Sequence, residues 1–273
     1  MKAAVLQMTS GIDPAVNAVT LQTAIADAAA GGAAMLFTPE MSGLLDRDRA
    51  RSAAHIVAEE DDMVLAAVQA GAAAHRIWVQ LGSLAVRRPD GKLANRSFMI
   101  DDRGAIRARY DKLHLFDVDL PGGGSWRESA SYAPGERSCV IDSPLGPVGL
   151  SICYDLRFAD LYRALSDAGA MVLSIPAAFT AETGEAHWQV LLRARAIEAG
   201  AWVIAAAQTG MHEDGRQTYG HSLVVDPWGQ IVLDMDMAAG LGFAEIDPAR
   251  VPAVRSRIPV VAHRRAIPPV ERS

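Results

Sequence analysis

Residues 147–176 read PVGLSICYDLRFADLYRALSDAGAMVLSIP, and this stretch decides the fold class. It opens on a short apolar run, PVGLSIC, takes helical spacing from Asp155 to Ala168, stops at Gly169, and returns to an apolar run, MVLSIPA. Short apolar runs on both sides of a helix-length segment fit strand, helix, strand in a covered sheet. Outward from this unit the pattern continues. CVIDSP and PVGLSIC form a hairpin around Leu145-Gly146, Glu185 to Ala199 is a helix ending at Gly200, and AWVIAAAQ is another buried strand. HSLVVDPWGQIVLDM holds two strand-like runs around Pro-Trp-Gly, and GFAEID is the last strand. Towards the N-terminus, KAAVLQM is a strand, and Pro14 to Ala30 a helix stopped by Gly31-Gly32. AAMLFTP is a second strand and about Glu59 to His75 a second helix; IWVQLGSLAV, ANRSFMID and AIRARYDK then form hairpins. Their turns are Pro89-Asp90-Gly91-Lys92, where Pro presets φ and Gly accepts a positive one, and Asp102-Arg103-Gly104. The sum is a mixed α/β sheet system covered by helices. No linker interrupts the middle and no period repeats, so one domain over residues 1–273 is expected; Gly122-Gly123-Gly124 reads as a flexible loop rim.

Composition narrows the function classes. Half of the 273 residues are hydrophobic, enough for one large core, and the formal net charge is −6. A mildly acidic surface exerts no general pull on nucleic acid or anionic lipid, so neither is an expected partner. Anionic substrates would need a few arginines placed inside a pocket. Two cysteines, Cys139 and Cys153, are too few for a disulfide framework, and Cys139 reads as a small buried hydrophobe. The N-terminus has no signal-peptide apolar run, and no stretch approaches the ~20 apolar residues of a membrane span, so the cytoplasm is the expected location.

Cys153 stands where an apolar strand, GLSIC, gives way to a helix-like segment. There a helix N-terminus lowers a thiol's pKa, and neighbouring N–H groups can cradle an oxyanion. A buried structural cysteine fits the same position. Glu40 ends the apolar run MLFTPE and Lys112 ends AIRARYDK; a turn cap and an ordinary strand-end lysine are the plain alternatives. None of the seven histidines lies in a Cys-protease pattern, and no zinc or nucleotide motif is present, so no metal or cofactor is expected.

Taken together, FTPE (Glu40), YDKLHLFDVDLPG (Lys112) and GLSICYDLRF (Cys153) resemble the nitrilase superfamily of carbon–nitrogen hydrolases. RESASYAPG around Glu128, HWQVLLRARAIE and YGHSLVVDPWG extend the likeness over nearly the whole chain. Within the superfamily, LLRARAIEAGAWVIAAAQTGMHEDGRQTYGHSLVVDPWG looks like the deaminated-glutathione amidase branch of the Nit group. The omega-amidases acting on 2-oxoglutaramate, and nitrile or N-carbamoyl hydrolases, are the alternatives. The resemblance implies a four-layer αββα sandwich of two mixed sheets, a homodimer or higher homo-oligomer, and an amidase passing through a Cys153 thioester. It implies Glu40 as base, Lys112 and the Tyr154 N–H as oxyanion donors, and Glu128 as the positioner of Lys112 and the substrate amide. Arg157, four residues past Cys153, either faces the pocket and takes a substrate carboxylate or pairs with Asp155 or Asp160 on the surface. Phe179 and Thr180 follow a strand ending near the site and are candidate pocket lining. A non-catalytic scaffold is the rival; the expected residue types at all three positions argue against it.

Overall fold

A computed structural model describes residues 1–119 and 124–272. In chain order the first half contains β1 (Lys2–Gln7), α1 (Pro14–Ala30), β2 (Met35–Phe37), α2 (Arg49–Ser52), α3 (Met63–His75), β3 (Trp78–Arg87), β4 (Leu93–Ile100) and β5 (Ile106–Asp111). A short ribbon, β6 (Asp117–Asp119) with β7 (Ser125–Arg127), leads to β8 (Cys139–Ile141), β9 (Val148–Leu150), α4 (Ala159–Asp167), β10 (Val172–Ser174), α5 (Ala181–Ala199) and β11 (Trp202–Ala205). A second ribbon, β12 (Thr209–Met211) with β13 (Gln217–Tyr219), precedes β14 (Leu223–Val225), β15 (Ile231–Asp234), β16 (Gly240–Glu245) and α6 (Arg250–Arg257).

The strands form two six-stranded mixed sheets, ordered β16-β1-β2-β3-β4-β5 and β15-β14-β11-β10-β9-β8. Each has a parallel centre, β1-β2-β3 in one and β9-β10-β11 in the other, with antiparallel strands outside. Side chains alternate faces along a strand, and the burial follows that rule. Ala3, Val5, Met35 and Phe37 enter the core shared with Val148, Leu150 and Val172 of the second sheet. Ala4, Leu6 and Leu36 instead meet Leu21 and Ile25 of α1 and Val64 and Val68 of α3. On the far side, Leu161 and Leu165 of α4 and Trp188 and Leu192 of α5 cover the second sheet. Two sheets face to face with helices outside both make the αββα layering. Strands buried on both faces read as unbroken apolar runs.

Local chemistry sets the boundaries. Asp13 caps α1 by accepting the Ala15 N–H, Pro14 occupies the first turn, and Gly32 leaves it at φ +75°. The expected helix from Glu59 to His75 is divided, because the Asp62 carboxylate accepts the Val64 and Leu65 N–H groups and starts α3 there. Glu59–Asp61 forms only a separate 3-10 turn. The expected Asp155–Ala168 helix also divides: Cys153–Arg157 is a 3-10 turn, Phe158 is extended, and α4 begins at Ala159. Helix α5 starts four residues earlier than its pattern suggests, at Ala181, because the Thr180 hydroxyl caps it. Both ribbons escape pattern reading, being too short for a period-2 signal.

Candidate active site

Glu40 follows β2 through Thr38 and Pro39, and is only 5% exposed. Its Oε1 accepts from Lys112 Nζ and from Asn95 Nδ2, both at 2.9 Å, and its Oε2 accepts from the Ala178 N–H at 3.0 Å. Lys112 extends β5 by one residue: its N–H donates to Asn95 O at 2.9 Å, and its carbonyl accepts from Gly135 N at 2.8 Å. Its Nζ also meets Glu128 Oε2 at 2.9 Å. The second Glu128 oxygen accepts from Asn95 Nδ2 at 3.1 Å, while Phe116 N–H donates to Oε2 at 2.7 Å. Asn95 therefore bridges both carboxylates that hold the lysine. Its Nδ2 must face them, because an amide oxygen there would repel; Oδ1, turned away, has no partner among the described residues.

Cys153 sits at the junction of β9 and the 3-10 turn at φ +49°, a left-handed conformation costing a non-glycine residue about 1–2 kcal/mol. Its N–H donates to Pro176 O at 2.8 Å, while the adjacent Tyr154 N–H finds no acceptor among the described residues. The turn is held by Asp155, wholly buried, whose Oδ2 accepts from Ile152 N at 2.9 Å and Tyr110 OH at 2.7 Å. Its Oδ1 takes the His114 N–H at 3.0 Å and contacts His114 Nδ1 at 2.7 Å. His114 in turn stacks on Phe158 with ring centroids 3.6 Å apart.

The electrostatics differ from what a helix N-terminus would do. Burial pushes the Cys153 thiol well above its ordinary range, and the Glu40 charge adds to this; Lys112 and the Ala178 amide pull the other way. The cysteine therefore rests as a neutral thiol, because a short 3-10 turn brings no macrodipole to offset desolvation. For Lys112, burial alone favours the neutral amine, but the Glu128 and Glu40 carboxylates outweigh it and hold the ammonium firmly protonated. The cluster is thus a neutral thiol, a fixed cation and a buried carboxylate.

Glu40, Lys112, Cys153, Glu128 and Tyr154 line one cavity of about 1010 Å³, with Arg157, Phe179 and Thr180 on its wall. Arg157 pairs with neither Asp155 nor Asp160: its Nη1 meets His187 Nδ1 at 3.2 Å, and its guanidinium lies over the rings of Tyr154 and Phe179 at 5.9 and 5.4 Å. Gly124 also lines the cavity, whereas Gly122 and Gly123, read as part of its rim, lie outside the described residues. Cys139 is half-buried on edge strand β8. Sequence reading missed Asn95, the Ala178 amide and the clamping role of Asp155. For Asn95 a signal existed, a polar residue on the inward phase of ANRSFMID; a backbone amide leaves none. Among the described residues, one group of side chains could share an ion, His221 with Asp234 and Asp236, and none of the three lines the cavity.

The chain is also similar to known proteins. Residues 2–256 match the carbon-nitrogen hydrolase family. The chain is 38% identical over 267 residues to a deaminated glutathione amidase of Yersinia enterocolitica, covering 97% of this chain and 93% of that one. It superimposes on the crystal structure of the C. elegans NitFhit protein with a TM-score of 0.89 at 40% identity, covering 97% of this chain and 65% of that one. A mutant of an amidase from Nesterenkonia sp. AN1, carrying an acrylamide adduct at its active-site cysteine, matches with a TM-score of 0.78 and 27% identity over 94% of this chain and 98% of that one.

Proposed function

This chain belongs to the carbon–nitrogen hydrolase family, and from that premise we propose that Cys153, Glu40 and Lys112 form the catalytic triad of an amidase. The observation that carries the proposal is the convergence, in one cavity, of the Cys153 thiol with a carboxylate and an ammonium that are themselves in contact. The substrate is a linear amide bearing a carboxylate, of the deaminated glutathione class that the Yersinia enterocolitica relative's name describes.

Glu40 takes the thiol proton as Cys153 sulfur attacks the amide carbonyl, so no free thiolate accumulates. The oxyanion that forms is met by the Lys112 ammonium and the unpartnered Tyr154 N–H. Glu40 returns its proton to the nitrogen, the C–N bond breaks, and the amine leaves. A water then gives a proton to Glu40 and adds to the thioester carbon. Collapse breaks the C–S bond, the acid departs, and sulfur regains its proton. Glu128 and Asn95 hold Lys112 and Glu40 in register and do not exchange protons with the substrate. Arg157, with Phe179 and Thr180 beside it, takes the acyl-side carboxylate.

We further propose that the chain is one domain over residues 1–273, uses no cofactor or metal, and acts in the cytoplasm as a homo-oligomer on small amides, with neither nucleic acid nor membrane as partner. Among the described residues no helix is long and apolar enough to cross a membrane. The test is ammonia or amine release from deaminated glutathione, 2-oxoglutaramate, N-carbamoyl-β-alanine and simple nitriles, with intact-protein mass spectrometry of quenched reactions. An acyl adduct on Cys153, absent in Cys153→Ala, is expected. Turnover that survives Cys153→Ala refutes the triad, and preference for a nitrile refutes the substrate.

A further inference from the structure

The cavity is larger than the triad requires, and on its outer wall cations outnumber acids, which are Asp46, paired with Arg51, and Glu182. Arg47, Arg49, Arg87, Lys92 and Arg157 line it without a carboxylate partner among the described residues, in a chain whose formal charge is −6. Arg127 and Arg216 line it too but are paired with Asp119 and Asp214. Unpaired cations gathered in one cleft of an acidic protein focus the field on an anion entering it.

The β3–β4 ladder gives two of these cations a height above the chemistry. Ala85 stands opposite Asn95, which touches Glu40, and Arg87 stands opposite Leu93. Residues two apart on a strand share a face, so Arg87 and Leu93 continue the cavity side begun by Ala85 and Asn95. Leu84 and Val86 point into the opposite core. At about 3.3 Å per strand residue, Arg87 lies about 7 Å outward from the Asn95 level and Lys92 about 10 Å. The Arg87 guanidinium is steadied by the Ile56 and Ala53 carbonyls, at 2.9 and 3.4 Å, and Arg49 by the Arg127 carbonyl at 3.3 Å. Each keeps further N–H groups for a ligand. Arg157 occupies the wall beside Cys153, from the other sheet.

We infer that Arg87, with Lys92 and Arg49, sets leaving-group specificity by holding a carboxylate on the leaving-amine side of the scissile bond, opposite the acyl-side carboxylate assigned to Arg157. The inference rests on the amidase reading above and adds the residues that set leaving-group specificity.

The test compares kcat/KM for a 2-oxoglutaryl dipeptide and the same compound ending in a carboxamide. The wild type is expected to prefer the carboxylate about tenfold, the sum of several exposed ion pairs. In the double variant Arg87→Gln, Lys92→Gln the ratio should fall to about one through a raised KM for the carboxylate form. Arg88→Gln, at a guanidinium paired with Asp90 outside the cavity, should retain it. The preference of the wild type should also shrink with added salt. Equal wild-type rates on the two compounds, a ratio surviving in the double variant, or one indifferent to salt overturns the inference and leaves the triad standing. If the wild type cleaves neither compound and forms no acyl adduct, the amidase reading falls with it.

Discussion

Replacing Asp155 tests whether the turn carrying the nucleophile is held by one buried carboxylate. In Asp155→Ala four groups lose their acceptor: the Ile152 and His114 N–H groups, the Tyr110 hydroxyl and the His114 ring. Each buried donor left unpaired costs about 1–3 kcal/mol, and Asp155 is fully buried, so little water replaces it. Partial relaxation at half-exposed His114 lowers the sum, giving a loss of about 3–5 kcal/mol and a fall in Tm of roughly 10 °C. Activity should fall further than stability predicts, because Cys153 sits one residue beyond Ile152 at φ +49°, a strained geometry that persists only while its surroundings enforce it. The reference is Tyr110→Phe, which removes one donor, leaves the carboxylate its other partners, and should cost only about 1 kcal/mol. Urea unfolding with matched kcat measurements on folded protein reads both effects. The reasoning is refuted if Asp155→Ala unfolds within about 1 kcal/mol of Tyr110→Phe, or if its kcat equals that of the wild type.

Three further outcomes follow from the same cluster and its surroundings. Lys112→Met should lower kcat by about 10²–10³, with an equal fall in kcat/KM; a change confined to KM would contradict its role at the oxyanion. Asn95→Asp sets a third carboxylate against Glu40 and Glu128, where Nδ2 now donates at 2.9 and 3.1 Å. It should cost on the order of 3–5 kcal/mol in urea unfolding, and a variant as stable as the wild type would deny that Asn95 separates the two acids. His212 is pushed below its ordinary 6.5 by burial, against a smaller opposing pull from the Ser10 carbonyl, so the fold prefers the neutral ring. Its contribution is complete above 6.5, where the unfolded chain is also neutral, and is lost progressively as pH falls below that value and through the lower folded pKa. Unfolding midpoints measured on either side should show that loss in the wild type and less of it in His212→Asn.

Much of the fold was legible along the chain because helices and buried strands leave local, periodic traces. The 17 residues of α1 coincide with the apolar spacing between Pro14 and the Gly31-Gly32 stop. Where a polar side chain could choose between continuing a helix and capping one, spacing could not decide. Asp62 broke a segment that read as continuous, since a carboxylate accepting N–H groups competes with the helical bond, and the Asp155–Ala168 segment broke at the extended Phe158. The strand-end positions of Glu40, Lys112 and Cys153 were visible, and the motifs around them supplied the resemblance. Which neighbours complete the cluster was not. Asn95 meets Glu40 across 55 residues within one sheet, and the Ala178 amide meets it across 138, a contact that exists only once the two sheets have packed face to face. A sequence shows which side chains are chemically able to act; packing decides which of them are dry, paired and within reach, because desolvation and hydrogen-bond geometry depend on atoms far away along the chain. The resting state of Cys153 illustrates this, read as activated from its place before a helix and held neutral by the burial that only the tertiary structure imposes.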